Sequence, residues 1–196
     1  MRGAPAAVIP DATDPAVPGA IDPAGWLEGA PRRPSPNSDE RPPGSRVELL
    51  VIHCISLPPG RFGATPVKRL FENRLDHDEH PYYDRLRGLR VSAHFLIDRD
   101  GRLVQFVSCA RRAWHAGTSS WDGRAACNDF SIGVELIGAE FEPYAGAQYR
   151  TLVALQSALR SAYPIRAVCG HSDIAPGRKT DPGPLFDWRR AGVDGR

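Results

Sequence analysis

The sequence predicts one α/β (α+β) domain, a mixed central β-sheet flanked by helices, and three observations carry that prediction. Val47-Glu48-Leu49-Leu50-Val51-Ile52 is an almost continuous apolar run of the kind found in strands buried on both faces. Ser131-Ile132-Gly133-Val134-Glu135-Leu136-Ile137 is a second strand-like run, interrupted by one carboxylate. Tyr149, Leu152, Val153, Leu155, Leu159, Ala162 and Tyr163 recur at helical spacing, which places a helix near 146–162. Strands and helices that interleave along the chain, with one hairpin among them, make a mixed sheet covered by helices. At 196 residues the chain is long enough for one real core and short for two.

The elements follow in order. Residues 1–45 hold more than half of the 19 prolines. Residues 1–23 lack periodic apolar positions and are expected to be a disordered extension, because they have too little apolar surface to offset the entropy of ordering. From Gly25-Trp26-Leu27 onward isolated apolar anchors appear, so 24–45 is read as an extended arm packed on a domain spanning 46–196. After the first strand comes a Pro/Gly loop, and Pro66 opens a short helix to Asn73. Residues 75–90 are aperiodic and rich in Asp, His, Pro and Tyr, which suggests a surface loop. Val91, Ala93, Phe95 and Ile97 alternate with Ser92, His94, Leu96 and Asp98, the pattern of a half-buried strand. Asp98-Arg99-Asp100-Gly101 turns it into a hairpin partner at 103–107. Ile165 to Val168 is a short last strand, and 170–187 is a Pro/Gly loop dense in polar residues.

A net charge of +2 provides no field for nucleic acid or an anionic membrane as principal partner. No window of about 18 apolar residues exists to span a bilayer. The first 20 residues lack the apolar core of a secretory signal, and the four cysteines form no CxxC pair. A cytoplasmic protein with reduced thiols, acting as a monomer, is the expectation.

Several residues are candidates for chemistry. The densest segment is Gly170-His171-Ser172-Asp173-Ile174-Ala175-Pro176-Gly177-Arg178-Lys179-Thr180-Asp181-Pro182-Gly183-Pro184. It combines a histidine, two aspartates and one of only two lysines in a loop stiffened by three prolines. His171 and Asp181, with His53 at the end of the first strand, offer two imidazoles and a carboxylate, a donor set that suits zinc with a place left for water. On spacing alone the loop reads equally as a solvated polar segment, and His53 taken alone reads first as a hydrogen-bonded histidine closing a strand. Glu135 inside an apolar strand is costly unless it is paired or used, and burial would raise its pKa toward the range of a general acid/base. Strand alternation alone would instead turn it outward. Lys179 is placed to stabilise an oxyanion or to form a surface ion pair. Trp114 and His115 could wall a groove or belong to the core. His77 and His80 lie in an acidic loop that reads as solvated, and His94 as a plain strand residue.

The runs Val51–Gly60, Leu89–His94, Arg112–Gly117, Cys127–Leu136 and the whole of 170–187 resemble the AmpD family of cytoplasmic anhydro-N-acetylmuramyl-L-alanine amidases. The resemblance is collinear from about Gly25 to Trp188. It implies a mixed sheet with helices, one Zn2+ held by His53, His171 and Asp181, and catalysis by Glu135 and Lys179. The implied reaction is hydrolysis of the amide joining the muramic lactyl group to L-alanine in anhydromuramyl-peptides. Glu135 would move the proton and Lys179 would face the oxyanion. Cys54, Arg90, Trp114 and His115 would contact substrate, Arg90 by pairing with a peptide carboxylate. Two positions depart from the family: Cys54 replaces an asparagine, and Ala126 replaces an arginine whose part Arg124 is expected to take. The rival reading of the same fold is a peptidoglycan-binding module without catalysis.

Overall fold

The computed structural model describes residues 19–194. Five strands form the central sheet: β2 (Leu49–Ile55), β3 (Phe95–Ile97), β4 (Leu103–Gln105), β8 (Ser131–Ile137) and β9 (Ala167–Gly170). Their order is β4-β3-β8-β2-β9, and only the β3–β4 hairpin is antiparallel. Small antiparallel pairs lie outside it: β1 (Ser38–Glu40) with β5 (Arg111–Ala113), and β6 (Ser120–Trp121) with β7 (Arg124–Ala125). The helices are α1 (Ala64–Phe71), α2 (Gly146–Ala162) and the single turn α3 (His171–Ile174), with a 3-10 helix at Pro81–Leu86.

Strand alternation sorts the core into two faces. Leu50, Ile52, Val134 and Leu136 meet Tyr149, Leu152, Leu155 and Leu159 of α2. On the opposite face Leu96 and Ile137 meet Val67, Leu70 and Phe71 of α1, while Leu49 and Val51 meet Ala116, Cys127 and Phe130. His53 and Glu135 belong to this second face, side by side in the parallel register of β2 and β8. Pro164 stops α2, since the residue before a proline is driven out of helical geometry, and Tyr163 is extended at φ −132° and ψ 147°.

Three local expectations change. Regular pairing of β3 starts at Phe95, and Ser92, Ala93, His94, Phe95 and Leu96 are all buried, so the stretch is covered on both sides rather than half-buried. Alternation cannot detect that, because the second cover comes from residues distant in sequence. The loop at 75–90 contains the 3-10 helix, anchored by buried Tyr83, and His80 Nδ1 accepts the Tyr82 N–H at 3.1 Å as its cap. Helix α1 begins two residues before Pro66, which falls in its first turn, where a missing N–H is harmless.

The arm follows the free edge of β4. Arg33 and Ser35 N–H donate to the Gln105 and Phe106 carbonyls, both at 2.9 Å, and further along β1 pairs with β5. An exposed strand edge is thereby closed. Within the expected extension, Ile21 bridges to Leu27 and Gly19 N–H donates to the Glu28 carbonyl. Residues 1–18, the rest of the expected disordered extension, lie outside the described residues. Gly25 is required where the arm turns. It has φ +83°, and a Cβ there would come within 2.4 Å of Ser108 Oγ.

Candidate active site

A cleft of about 610 Å3 opens where β2 and β8 end. Carboxyl ends of parallel strands are where α/β sheets place their sites, because the chain leaves the sheet there as loops. His53 is 1% exposed on β2, and His171, 4% exposed, begins α3 directly after β9. The Ser172 N–H donates to the Asp181 carbonyl at 3.0 Å, folding the polar loop back so that its far end meets its beginning.

His53 Nδ1, His171 Nδ1 and Asp181 Oδ2 converge. The two nitrogens are 3.0 Å apart, and each is 3.2 Å from the carboxylate oxygen. Among the described residues these three form a cluster able to hold a metal ion. Ligands of a tetrahedral zinc at about 2.0–2.1 Å stand roughly 3.3 Å from one another, so the triangle is close to one face of such a site. Protonation would divide the trio. Burial pushes His53 down to about 4, His171 and Lys179 add to this, and Asp181 opposes it. Burial works against ionised Asp181, but its hydrogen bonds to His171 and His53 outweigh burial and hold its pKa well below the usual carboxylate range. The arrangement therefore keeps an anionic Asp181 beside a neutral His53, charge states that suit metal binding.

Glu135 faces the same cleft. Its Oε2 is buried without a hydrogen-bond partner. Burial raises its pKa well above the ordinary value, the Asp181 charge adds to the rise, and Lys179 opposes it. Alternation does turn Glu135 away from the α2 face, but toward the cleft and not toward open water. Lys179, on the loop between His171 and Asp181, also lines the cleft.

The other predicted residues divide. Trp114 lines the cleft with its indole N–H fixed to Asp39 Oδ1 at 3.1 Å, so the arm positions this wall. Cys54 also lines it as a neutral thiol, pushed up to about 12 by burial against the pull of a Tyr144 hydrogen bond. Arg90 is exposed beside the lining residues Leu89 and Val91, its guanidinium bonded to the neighbouring Leu89 carbonyl at 3.4 Å, and it flanks the cleft without lining it. Arg124, expected to stand in for the missing arginine, is not among the residues lining the cleft. It pairs with Glu48 at 2.7 Å and lies over the Phe130 ring, away from the cleft. His115 borders the cleft, but both ring nitrogens are engaged inside the fold, with His53 Nε2 at 2.9 Å and Ser131 Oγ at 3.1 Å. No polar atom of that ring is left for a substrate.

Sequence reasoning missed Arg41. Its guanidinium donates to the carbonyls of Cys109, Asn128, Asp129 and Ser131 at 2.9–3.3 Å, linking the arm to the segment beneath His115. One arginine among many in a proline-rich stretch carries no sequence signal for that role. Gly133 was also missed. A Cβ there would stand 2.4 Å from His115 Cγ, so the imidazole lies directly on the β8 backbone. Gly133→Ala is expected to destabilise the fold by about 1–3 kcal/mol through this overlap, measured by denaturant melts. Unchanged stability would mean the ring is free to move.

Fold and site together define an α/β domain with a His–His–Asp trio able to hold a metal ion and a buried carboxyl group at the ends of its parallel strands. Comparison with known proteins places that class. The N-acetylmuramoyl-L-alanine amidase family matches residues 43–184. The 1,6-anhydro-N-acetylmuramyl-L-alanine amidase AmpD of Escherichia coli strain K12 is 53% identical over 168 residues, covering 85% of this chain and 92% of the relative. A crystal structure of a selenomethionine AmpD derivative superposes with a TM-score of 0.86 at 52% identity, covering 89% of this chain and 98% of that one. The E. coli amidase AmiD, solved in complex with anhydro-N-acetylmuramic acid-L-Ala-D-γ-Glu-L-Lys, gives a TM-score of 0.54 at 28% identity, covering 89% and 66%. The chain belongs to the N-acetylmuramoyl-L-alanine amidase family, among its AmpD-type members.

Proposed function

We propose that the protein hydrolyses the amide between the lactyl group of 1,6-anhydro-N-acetylmuramic acid and L-alanine in peptidoglycan fragments, with one Zn2+ held by His53, His171 and Asp181. The observation that carries this reading is the 3.0–3.2 Å convergence of three donor atoms beside an unpartnered buried carboxyl oxygen. When bound, zinc supplies Lewis acidity, lowering the pKa of water and polarising a carbonyl.

The chain's own groups do the rest. Glu135 Oε2, free of internal bonds, is the proton carrier, taking a proton from the attacking water and delivering it to the leaving amine. Lys179 brings a positive charge to the cleft, where negative charge develops on the carbonyl oxygen. The Trp114 indole, held by Asp39, and the apolar side chains of Leu57, Leu70 and Val91 wall the cleft and exclude water from the peptide. Cys54 offers a weak donor at the position where the family carries an amide, and Arg90 at the flank is placed for a peptide carboxylate further from the scissile bond. A non-catalytic binding role leaves the orphaned Glu135 oxygen without a purpose, which disfavours it.

We read the site of action as the cytoplasm, on the AmpD likeness and four cysteines that form no disulfide, and the acting unit as a monomer, since one chain supplies the residues of the site. Among the described residues no helix is long and apolar enough to cross a membrane. The test is turnover of anhydromuramyl-tripeptide, followed by chromatography, before and after treatment with a strong chelator. Loss of at least about 100-fold, restored by added zinc, is expected. Chelator-insensitive turnover would sink the assignment.

A further inference from the structure

His115, behind His53, belongs to a chain of hydrogen bonds whose direction can be read from its far end. Ser131 Oγ lies 2.6 Å from the Cys127 carbonyl, which can only accept, so the serine proton points there. The same serine oxygen, 3.1 Å from His115 Nε2, must then accept, which places the His115 proton on Nε2. His115 Nδ1 is left as a bare lone pair, and it faces His53 Nε2 at 2.9 Å. His53 therefore carries its proton on Nε2 and presents a bare Nδ1 to the trio. His171 reaches the same state more simply, since its Nε2–H donates to the Ala116 carbonyl at 3.1 Å. Both metal-facing nitrogens are thus set by consecutive residues, 115 and 116.

That pair of residues is itself held. Asn128 Oδ1 accepts the N–H groups of His115 at 3.2 Å and of Ala116 at 2.8 Å. Arg178 donates to the Ala116 carbonyl at 2.7 Å, while Arg41 holds the Asn128 and Ser131 carbonyls, both at 2.9 Å.

We propose that His115 is a positioning residue for metal binding: through the relay His53–His115–Ser131–Cys127 carbonyl it locks His53 in the tautomer whose Nδ1 can bind zinc. The inference rests on the zinc reading above. It assigns His115 an inward role, in place of the substrate contact that the family resemblance implies. A neutral imidazole accepting from another imidazole does the work that a carboxylate or backbone carbonyl usually does behind a metal-bound histidine. It does so without adding a negative charge beside Asp181 and Glu135.

The experiment measures zinc affinity by competition with a chromogenic chelator, together with kcat and KM at saturating zinc and the melting of the metal-free protein. Three variants are compared with the parent. His115→Phe removes the acceptor, and zinc affinity is expected to fall roughly 10–100-fold. His115→Asn can present a carbonyl oxygen near the Nδ1 position, and most of that loss should be recovered. Ser131→Ala releases the His115 tautomer while leaving both rings in place, and should fall between the two. If His115→Phe does not fold, the other two still decide. Affinity unchanged in His115→Asn and Ser131→Ala, with His115→Phe either equally unchanged or merely unfolded, overturns the proposal. So does an equal loss in Phe and Asn, which would make ring shape the determinant. If the parent itself binds no zinc, the metal assignment fails instead.

Discussion

Replacing Glu135 with glutamine is expected to lower kcat by roughly 100- to 10,000-fold while making the metal-free protein more stable at neutral pH. Both effects come from one carboxyl group. Its Oε2 is buried without a partner, and burial together with the Asp181 charge raises its pKa. A carboxyl group with a raised folded-state pKa favours the fold below its ordinary value of 4.5, and that contribution is lost as pH rises through the folded value. As pH rises from 4.5 toward 7.5 the parent progressively loses this contribution, whereas glutamine, of nearly the same shape, never ionises. The stability gain should therefore appear at pH 7.5 and shrink toward pH 4. Kinetics with zinc restored and thermal melts of the chelated protein at both pH values check the two halves. A variant that is inactive but less stable at pH 7.5 would show that Glu135 is a structural carboxylate with a partner.

The second large effect runs the other way in pH. His94 is fully buried, with Nδ1 accepting the Gly133 N–H at 3.0 Å and Nε2 against the Arg111 carbonyl at 3.1 Å. Burial, then the Arg41 charge, pushes it down to about 3, against the pull of the Arg111 carbonyl. His53 is pushed to about 4 and His115 well below its ordinary value, in both cases mainly by burial. A histidine held neutral in the fold leaves stability intact above its unfolded value of about 6.5, and stability is lost as pH falls from there toward the folded value. Each such histidine contributes a slope of up to about 1.4 kcal/mol per pH unit. The three histidines together should outweigh the opposite contribution of Glu135, so the metal-free protein is expected to lose stability as pH falls from 7 to 4.5. His94→Asn can keep an acceptor for the Gly133 N–H and cannot protonate. It is expected to be weaker at pH 7.5 but to show a slope shallower by about one histidine. Urea melts at four pH values measure this, and a variant slope equal to the parent's would remove His94 from the account.

The strands and the long helix were legible because their pattern is local. Ser131–Ile137 and Gly146–Ala162 stand where apolar alternation and helical spacing put them. The loop from Gly170 to Pro184 announced itself by crowding a histidine, two aspartates and a lysine among prolines. The motif likeness to AmpD then named His53 and Glu135, which spacing alone left undecided. These are properties of neighbouring residues, and hydrophobic patterning and motif order are written in neighbours.

What tertiary structure alone decided is which side chains face one another. The parallel register of β2 and β8 sets His53 beside Glu135, and the returning loop brings Asp181 to His171. Arg41 crosses from the arm to carbonyls about 70 to 90 positions away, and Trp114 is fixed by Asp39 of the same arm. His115, left open between groove and core by its residues and given a substrate contact by the resemblance, turns its ring nitrogens inward, where Gly133 leaves room for the ring and Ser131 meets Nε2. Hydrogen-bond direction and burial depend on groups that meet only after folding. The sequence by itself determined the elements and the chemical types available to the site, and three-dimensional packing determined how those groups face one another and, for His53, Glu135 and Asp181, which charge state burial and neighbours favour.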